Sequence, residues 1–242
     1  MAEFKLPTEV IELPSKGLLY PESNPLSSGQ IEIKYMTAKE EDILTNQSYI
    51  RKGTVVDKLL QSLIVSKINY DDLVVGDKNA ILIAARILGY GKDYTFTANG
   101  TEYTIDLSEL EPKEIDESLI TKGTNEFTFT LPHSGNEVTF KILDGHGERK
   151  IDRELEGLKK ISAENLPELT TRLKHIITSV NGDREEKTIR SFVDTALLAR
   201  DSRALRDYIR KIQPDIEMQF VPQGGEQPIA IPIGASFLYP DL

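Results

Sequence analysis

Residues 77–91, "DKNAILIAARILGYG", constrain the fold of this chain more than any other stretch. Asp77 reads as a helix cap, and Gly89 and Gly91 read as a stop, so the spacing predicts a helix over about 77–88. Its apolar residues lie on most sides instead of along one stripe. Such a helix has to be covered all round and belongs at the centre. The two ends of the chain are candidates to cover it. "IPIGASFLYPDL" gathers Ile231, Ile233, Phe237, Leu238 and Tyr239 in the final dozen residues, and "VIELPSKGLLYP" near the front brings Leu18, Leu19 and Tyr20. Chain ends are usually polar and frayed unless something ties them down. Two uses of these ends stay open in the sequence. They pack on the protein's own core and on each other, or they insert into a neighbouring subunit.

The other elements follow from periodicity. "QIEIKYM" alternates as a half-buried strand. "TAKEEDIL" supplies a capping box, with Thr37 as N-cap and Glu40 three residues on. A helix near 54–66 puts Val55, Val56, Leu59, Leu60, Leu63 and Ile64 on one face. Asn99-Gly100 marks a tight hairpin in "YTFTANGTEYTIDL", and "EFTFTLP" with "NEVTFKIL" forms a second strand pair. Helices are expected again at about 147–161, 164–180, 184–198 and 200–212, followed by a hairpin around Gly224-Gly225. The expected fold class is α+β: a mostly helical body with a small β-hairpin insert and extended Pro-rich termini. The expected parts are 1–91 (extended segment and helices), 92–143 (β-rich insert), 144–213 (helices completing the body) and 214–242 (hairpin and apolar tail).

Composition narrows the function classes. The net charge of -10 opposes general binding to nucleic acid. With no cysteine there is no disulfide and no cysteine-ligated zinc. No leader of the secretory type is expected, and no apolar run approaches the roughly 20 residues that span a bilayer. Charge is uneven along the chain. Residues 101–126 carry eight acids and two lysines, a net of -6, and residues 145–211 carry fifteen Lys or Arg and twelve acids, a net of +3. That asymmetry suits docking to a partner or to a second copy, and equally a solvated acidic edge.

The motifs of common chemistry do not occur. There is no Walker loop, no G-x-G-x-x-G, no H-E-x-x-H and no G-x-S-x-G. His133 falls in a turn. His175 falls beside the apolar face of its helix, as a core histidine does. His146 in "DGHGER" has the residue types for proton transfer or a weak metal site, and a tight turn explains its glycines equally well. Arg200, Arg203, Arg206 and Arg210 share one side of the last long helix. They read as a solvated stripe, or as a polar contact for an acidic protein surface.

"ELPSKGLLYP", "GQIEIKYMTAKEEDIL", "IRKGTVVDKLLQSLI", "SVNGD", "ARDSRALRDYI" with "QPDIEMQF", and the terminal "IPIGASFLYPDL" together resemble the T4-type bacteriophage baseplate hub and hub-assembly proteins. The resemblance runs nearly the whole length, and the ends with "MTAKEEDIL" are its most specific parts. Two hairpins that carry C-x-x-C knuckles in relatives read Ala98-Asn99-Gly100 and Pro222-Gln223-Gly224 here, so no metal is expected. Leu238-Tyr239 stands where an aromatic-Trp pair is expected. The resemblance implies a non-enzymatic structural component of the tail baseplate hub, located in the virion after assembly in the host cytoplasm. A transient assembly chaperone absent from the mature virion is the alternative it leaves open. The implied partners are other baseplate or tail proteins, with self-association left open. No cofactor, small-molecule substrate, nucleic acid or membrane is implied. The contact residues expected are Leu18, Leu19 and Tyr20 in the head, Ile233, Phe237, Leu238 and Tyr239 in the tail, and the four arginines of the stripe.

Overall fold

The computed structural model describes residues 6–161, 166–222, 227–233 and 235–239. The fold is mixed α+β, with helices packed among several small antiparallel sheets. Strands β1 (Thr8–Glu12) and β2 (Gln30–Lys34) pair antiparallel, with Ile11 opposite Ile31 and Glu9 opposite Ile33. Helices α1 (Ala38–Leu44), α2 (Gln47–Arg51) and α3 (Val55–Leu63) follow. The predicted capping box forms: the Glu40 carboxylate accepts from the Thr37 N–H at 2.9 Å and from its hydroxyl at 2.6 Å. On α3 the buried residues are Leu59, Leu60 and Leu63, and Val65 donates to the Glu32 carbonyl to extend the β2 edge.

Helix α4 (Val75–Tyr90) is the central helix that the sequence demanded, with Ala80, Ile81, Leu82, Ile83 and Ala85 all buried. Its start differs from expectation. The N-cap is Val74, and Asp77 lies inside the first turn, fully buried. Asp77 sits where caps sit, but its carboxylate is used by a distant segment. At Gly76 a side chain cannot be placed, because a Cβ there would lie 1.9 Å from the Pro214 carbonyl oxygen. The other end is closed by Arg86, which donates to the carbonyls of Gly91 (2.7 Å) and Asp93 (3.1 Å).

Strands β3 (Asp93–Ala98) and β4 (Thr101–Asp106) form the Asn99-Gly100 hairpin, with both turn residues at positive φ. Strands β5 (Phe127–Thr130) and β6 (Glu137–Phe140) form the second pair. Helices α5 (Gly145–Ile161) and α6 (Glu168–Ile176) then pack together. The helix expected over 164–180 stops at Ile176. Residues Ile177–Val180 form strand β7, which joins β6 to make a three-stranded sheet. Ile177, Thr178 and Val180 are β-branched, and pairing with β6 overrides the helical periodicity that runs through them. Leu169, which has the helical spacing of Leu173 and Ile176, is 45% exposed. Helices α7 (Glu186–Thr195) and α8 (Ala199–Ile212) follow. Strands β8 (Gln219–Phe220) and β9 (Ile229–Ala230) pair as expected, and the turn at Gly224-Gly225 lies outside the described residues. A short helix, α9 (Ala235–Leu238), lies in the tail, where an extended segment was expected.

Nearly all of the buried apolar side chains among the described residues make one continuous cluster. It runs from Leu13 and Leu19 in the head, through Leu60 and Ile81, to Phe127, Phe140 and Leu205, and reaches Phe237 and Leu238 in the tail.

Candidate functional site

The head closes on the first turn of α4 through a buried polar network. Asp77 accepts from the Ser15 N–H (2.9 Å), the Ser15 hydroxyl (2.7 Å) and the Tyr20 hydroxyl (2.5 Å). The Val74 N–H, left free at the helix start, donates in turn to the Tyr20 oxygen at 3.1 Å. A buried carboxylate is tolerated when its oxygens are filled with donors, and Asp77 has three. Burial pushes its carboxyl above the usual carboxylate range, and the Tyr20 and Ser15 hydrogen bonds pull it partly back. Burial first, and the neighbouring Asp77 charge second, raise the Tyr20 hydroxyl far above its ordinary value, so Tyr20 stays a donor. The turn that aims Ser15 and Tyr20 needs Gly17. Its φ is +75°, and a Cβ there would stand 2.4 Å from the Ser27 carbonyl oxygen.

The tail closes on the other end of α4 by ring packing. The Phe237 ring meets Tyr94 edge-on at 5.0 Å, and Tyr239 meets Tyr90, in the last turn of α4, edge-on at 6.2 Å. The Tyr94 hydroxyl donates to the Pro232 carbonyl at 2.9 Å. Phe96 stacks on Tyr94 and takes Phe220 of β8 edge-on, which extends the aromatic cluster to the last hairpin. Edge-to-face pairs of this kind add to the area they bury.

The expected contact residues therefore fall into different places. Leu19, Tyr20, Phe237 and Leu238 are buried within their own chain. Leu18 and Tyr239 are half-buried, and Ile233 is 42% exposed. The four arginines of α8 also separate. Arg200 and Arg203 point to solvent, with Arg203 3.8 Å from Asp207. Arg206 and Arg210 line a groove of about 450 Å³ between α8 and residues 215–219. Its lining includes the apolar Ile176, Ile209, Ile216 and Met218, and its charged residues are of both signs: Lys113, Arg206 and Arg210 with Asp215 and Glu217. Lys113 donates to the Arg210 carbonyl, which ties the acidic segment to the basic helix. Burial lowers the Lys113 ammonium below its ordinary value.

The histidines have structural partners. His146, half-exposed, lies 3.0 Å from Asp72, and the same Asp72 accepts from Asn24 and Asn69. Asp144 caps the start of α5 by accepting from the Gly147 N–H at 2.7 Å. The "DGHGER" turn is thus a helix start pinned to the loop before α4. His175 lies 2.8 Å from Glu154, which also receives a two-pronged contact from Arg190 at 2.8 Å on each oxygen. The Arg190 pair, with His175 behind it, holds Glu154 down at about 2. His133 offers only its backbone N–H, to the buried Asp201. Among the described residues no group of three or more His, Asp or Glu has the geometry of a metal site.

The burial of Asp77 and of Asp201 is not visible in the sequence: Asp77 has the place of a helix cap, and for both acids only distant donors mark the difference. Ser15 and Tyr20 bracketing a Lys-Gly turn were the available signal for the first. No protein-family model, no curated protein and no solved structure matches this chain.

Proposed function

We propose that this protein is a non-enzymatic structural component of a bacteriophage tail baseplate hub, which acts through contacts with other baseplate or tail proteins in the virion. The observation that carries the reading is where the resembling segments lie. "ELPSKGLLYP", "MTAKEEDIL" and the terminal "IPIGASFLYP" are far apart in sequence, yet the first and last close on opposite ends of α4, and the second caps α1 against α3. Strings that build one buried framework point to a likeness of fold, which scattered surface matches would not. Contact surfaces consistent with this role are the groove between α8 and residues 215–219, with its apolar lining and charges of both signs, and the exposed Ile233.

The second reading, an assembly chaperone that leaves before maturation, uses the same surfaces transiently. Quantitative mass spectrometry of purified virions separates the two. Copies in fixed proportion to the other hub proteins are expected. A chain abundant in infected cells, absent from virions and recovered with an unassembled hub protein would replace the structural reading with the chaperone. A chain found with neither would overturn both.

A further inference from the structure

Strand β1 is the edge of its sheet. Glu9 and Ile11 pair with β2, and the ladder continues from the Tyr35 N–H to the Pro7 carbonyl and from the Leu13 N–H to the Gly29 carbonyl. This alternation turns the peptide groups of the odd-numbered residues inward. Those of Thr8, Val10 and Glu12 point outward. Among the described residues no backbone group reaches that outer edge. Thr8, Val10 and Glu12 are exposed, Val10 to 57%. Natural sheets guard such edges with lysine, proline or a bulge. Here Pro7 and Pro14 stand outside the strand and leave the edge between them open.

We propose that this edge pairs with the same edge of a second copy of the chain, antiparallel about a two-fold axis through Val10. The geometry favours this occupant because the strand is complementary to itself in one register. Residues with outward peptide groups must face each other, and the axis at Val10 sets Val10 against Val10 and Thr8 against Glu12 of the other copy. No acid then faces an acid, because Glu9 meets Ile11. Lys34, the β2 partner of Thr8, lies one strand beyond each facing Glu12. The exposed apolar residue falls at the centre, and the charges fall towards the ends. The product is one four-stranded sheet built from two copies. A five-residue edge buries well under the ~1,600 Å² of a standard interface, so the dimer dissociates in the tens of micromolar, as an order of magnitude. This inference does not rest on the hub reading.

Sedimentation velocity of the full chain from about 5 to about 500 µM tests it. The wild type is expected to pass from monomer to dimer across that range. Val10→Pro removes an outward N–H, no inward one, and the exposed Val10 side chain, so the β1–β2 ladder survives, the thermal midpoint stays put and the dimer is lost. Thr8→Glu sets two like-charged pairs across the axis and weakens the dimer by up to about tenfold, whereas Thr8→Lys faces Glu12 and tightens it. A wild type that stays monomeric throughout overturns the proposal. A dimer indifferent to Val10→Pro and to the sign of charge at position 8 overturns it as well.

Discussion

The two ends of this chain look alike in sequence and are held by different physics. Each is an apolar cluster with proline, glycine and a Tyr-Pro pair. The head docks through Asp77, Ser15 and Tyr20, where every contact has a direction and a donor. The tail docks through Phe237 and Tyr239 against Tyr94 and Tyr90, where area and ring geometry do most of the holding and the Tyr94 hydroxyl adds one hydrogen bond to the Pro232 carbonyl. A helix start presents free N–H groups, so a polar clasp is in its chemistry there. Arg86 already fills the carbonyls after α4, so the segment arriving there finds mainly an aromatic wall. Similar strings thus serve similar ends of one helix by unlike means.

The largest effect should come from the aromatic side. Phe237 is fully buried, so Phe237→Ala is expected to cost about 3–5 kcal/mol in a denaturant titration. A loss below about 1 kcal/mol would mean that the tail is not part of the core.

Acid separates the polar contacts from the aromatic ones next. Burial alone would raise the fully buried Glu40 carboxyl, but the Thr37 and Lys34 hydrogen bonds hold it at about 2, below its ordinary 4.5. A depressed folded value gives stability that is present above 4.5 and lost as pH falls towards about 2. At about 1.4 kcal/mol per unit, Glu40→Gln should cost about 3 kcal/mol near neutral pH and flatten that acid limb. Asp77 carries the opposite sign. Its raised value gives a contribution that is full below the ordinary carboxylate range and fades as pH rises. Phe237→Ala should lower the whole pH profile without changing its shape, and a change of shape would tie the tail to the titrating side.

Smaller again is Tyr20→Phe, which leaves the Val74 N–H without an acceptor and Asp77 one donor short. It is expected to cost about 1–3 kcal/mol, whereas Tyr239→Phe at the other end should stay within about 0.5 kcal/mol. Equal costs for the two hydroxyls would erase the contrast between the ends. Smallest is Arg203→Ala. Its exposed pair with Asp207 should be worth less than about 0.5 kcal/mol in thermal unfolding, whatever α8 does for a partner.

Much of the framework was legible in the residues. The apolar run of α4, the capping box at Thr37 and the Asn99-Gly100 hairpin are local patterns, and local patterns act through neighbours in sequence. What could not be read depends on distant partners. Ile177–Val180 has helical spacing, yet becomes β7 because β6 offers it a ladder. Asp77 resembles a cap until Ser15, 62 residues away, donates to it. The arginines of α8 looked like one stripe, and only the segment at 215–219 divides Arg206 and Arg210 from Arg200 and Arg203. The same holds for the ends: their apolar character was plain in the sequence, and the surface they close on was not.

An isotope-filtered NOE experiment on an equal mixture of labelled and unlabelled chains would test most directly whether each copy closes its tail on its own α4 and β3. The expected result is strong Phe237–Tyr94 and Tyr239–Tyr90 cross-peaks within a labelled copy, and none between labelled and unlabelled copies. Cross-peaks between copies at either pair would place the tail on a neighbouring copy and contradict closure within one chain.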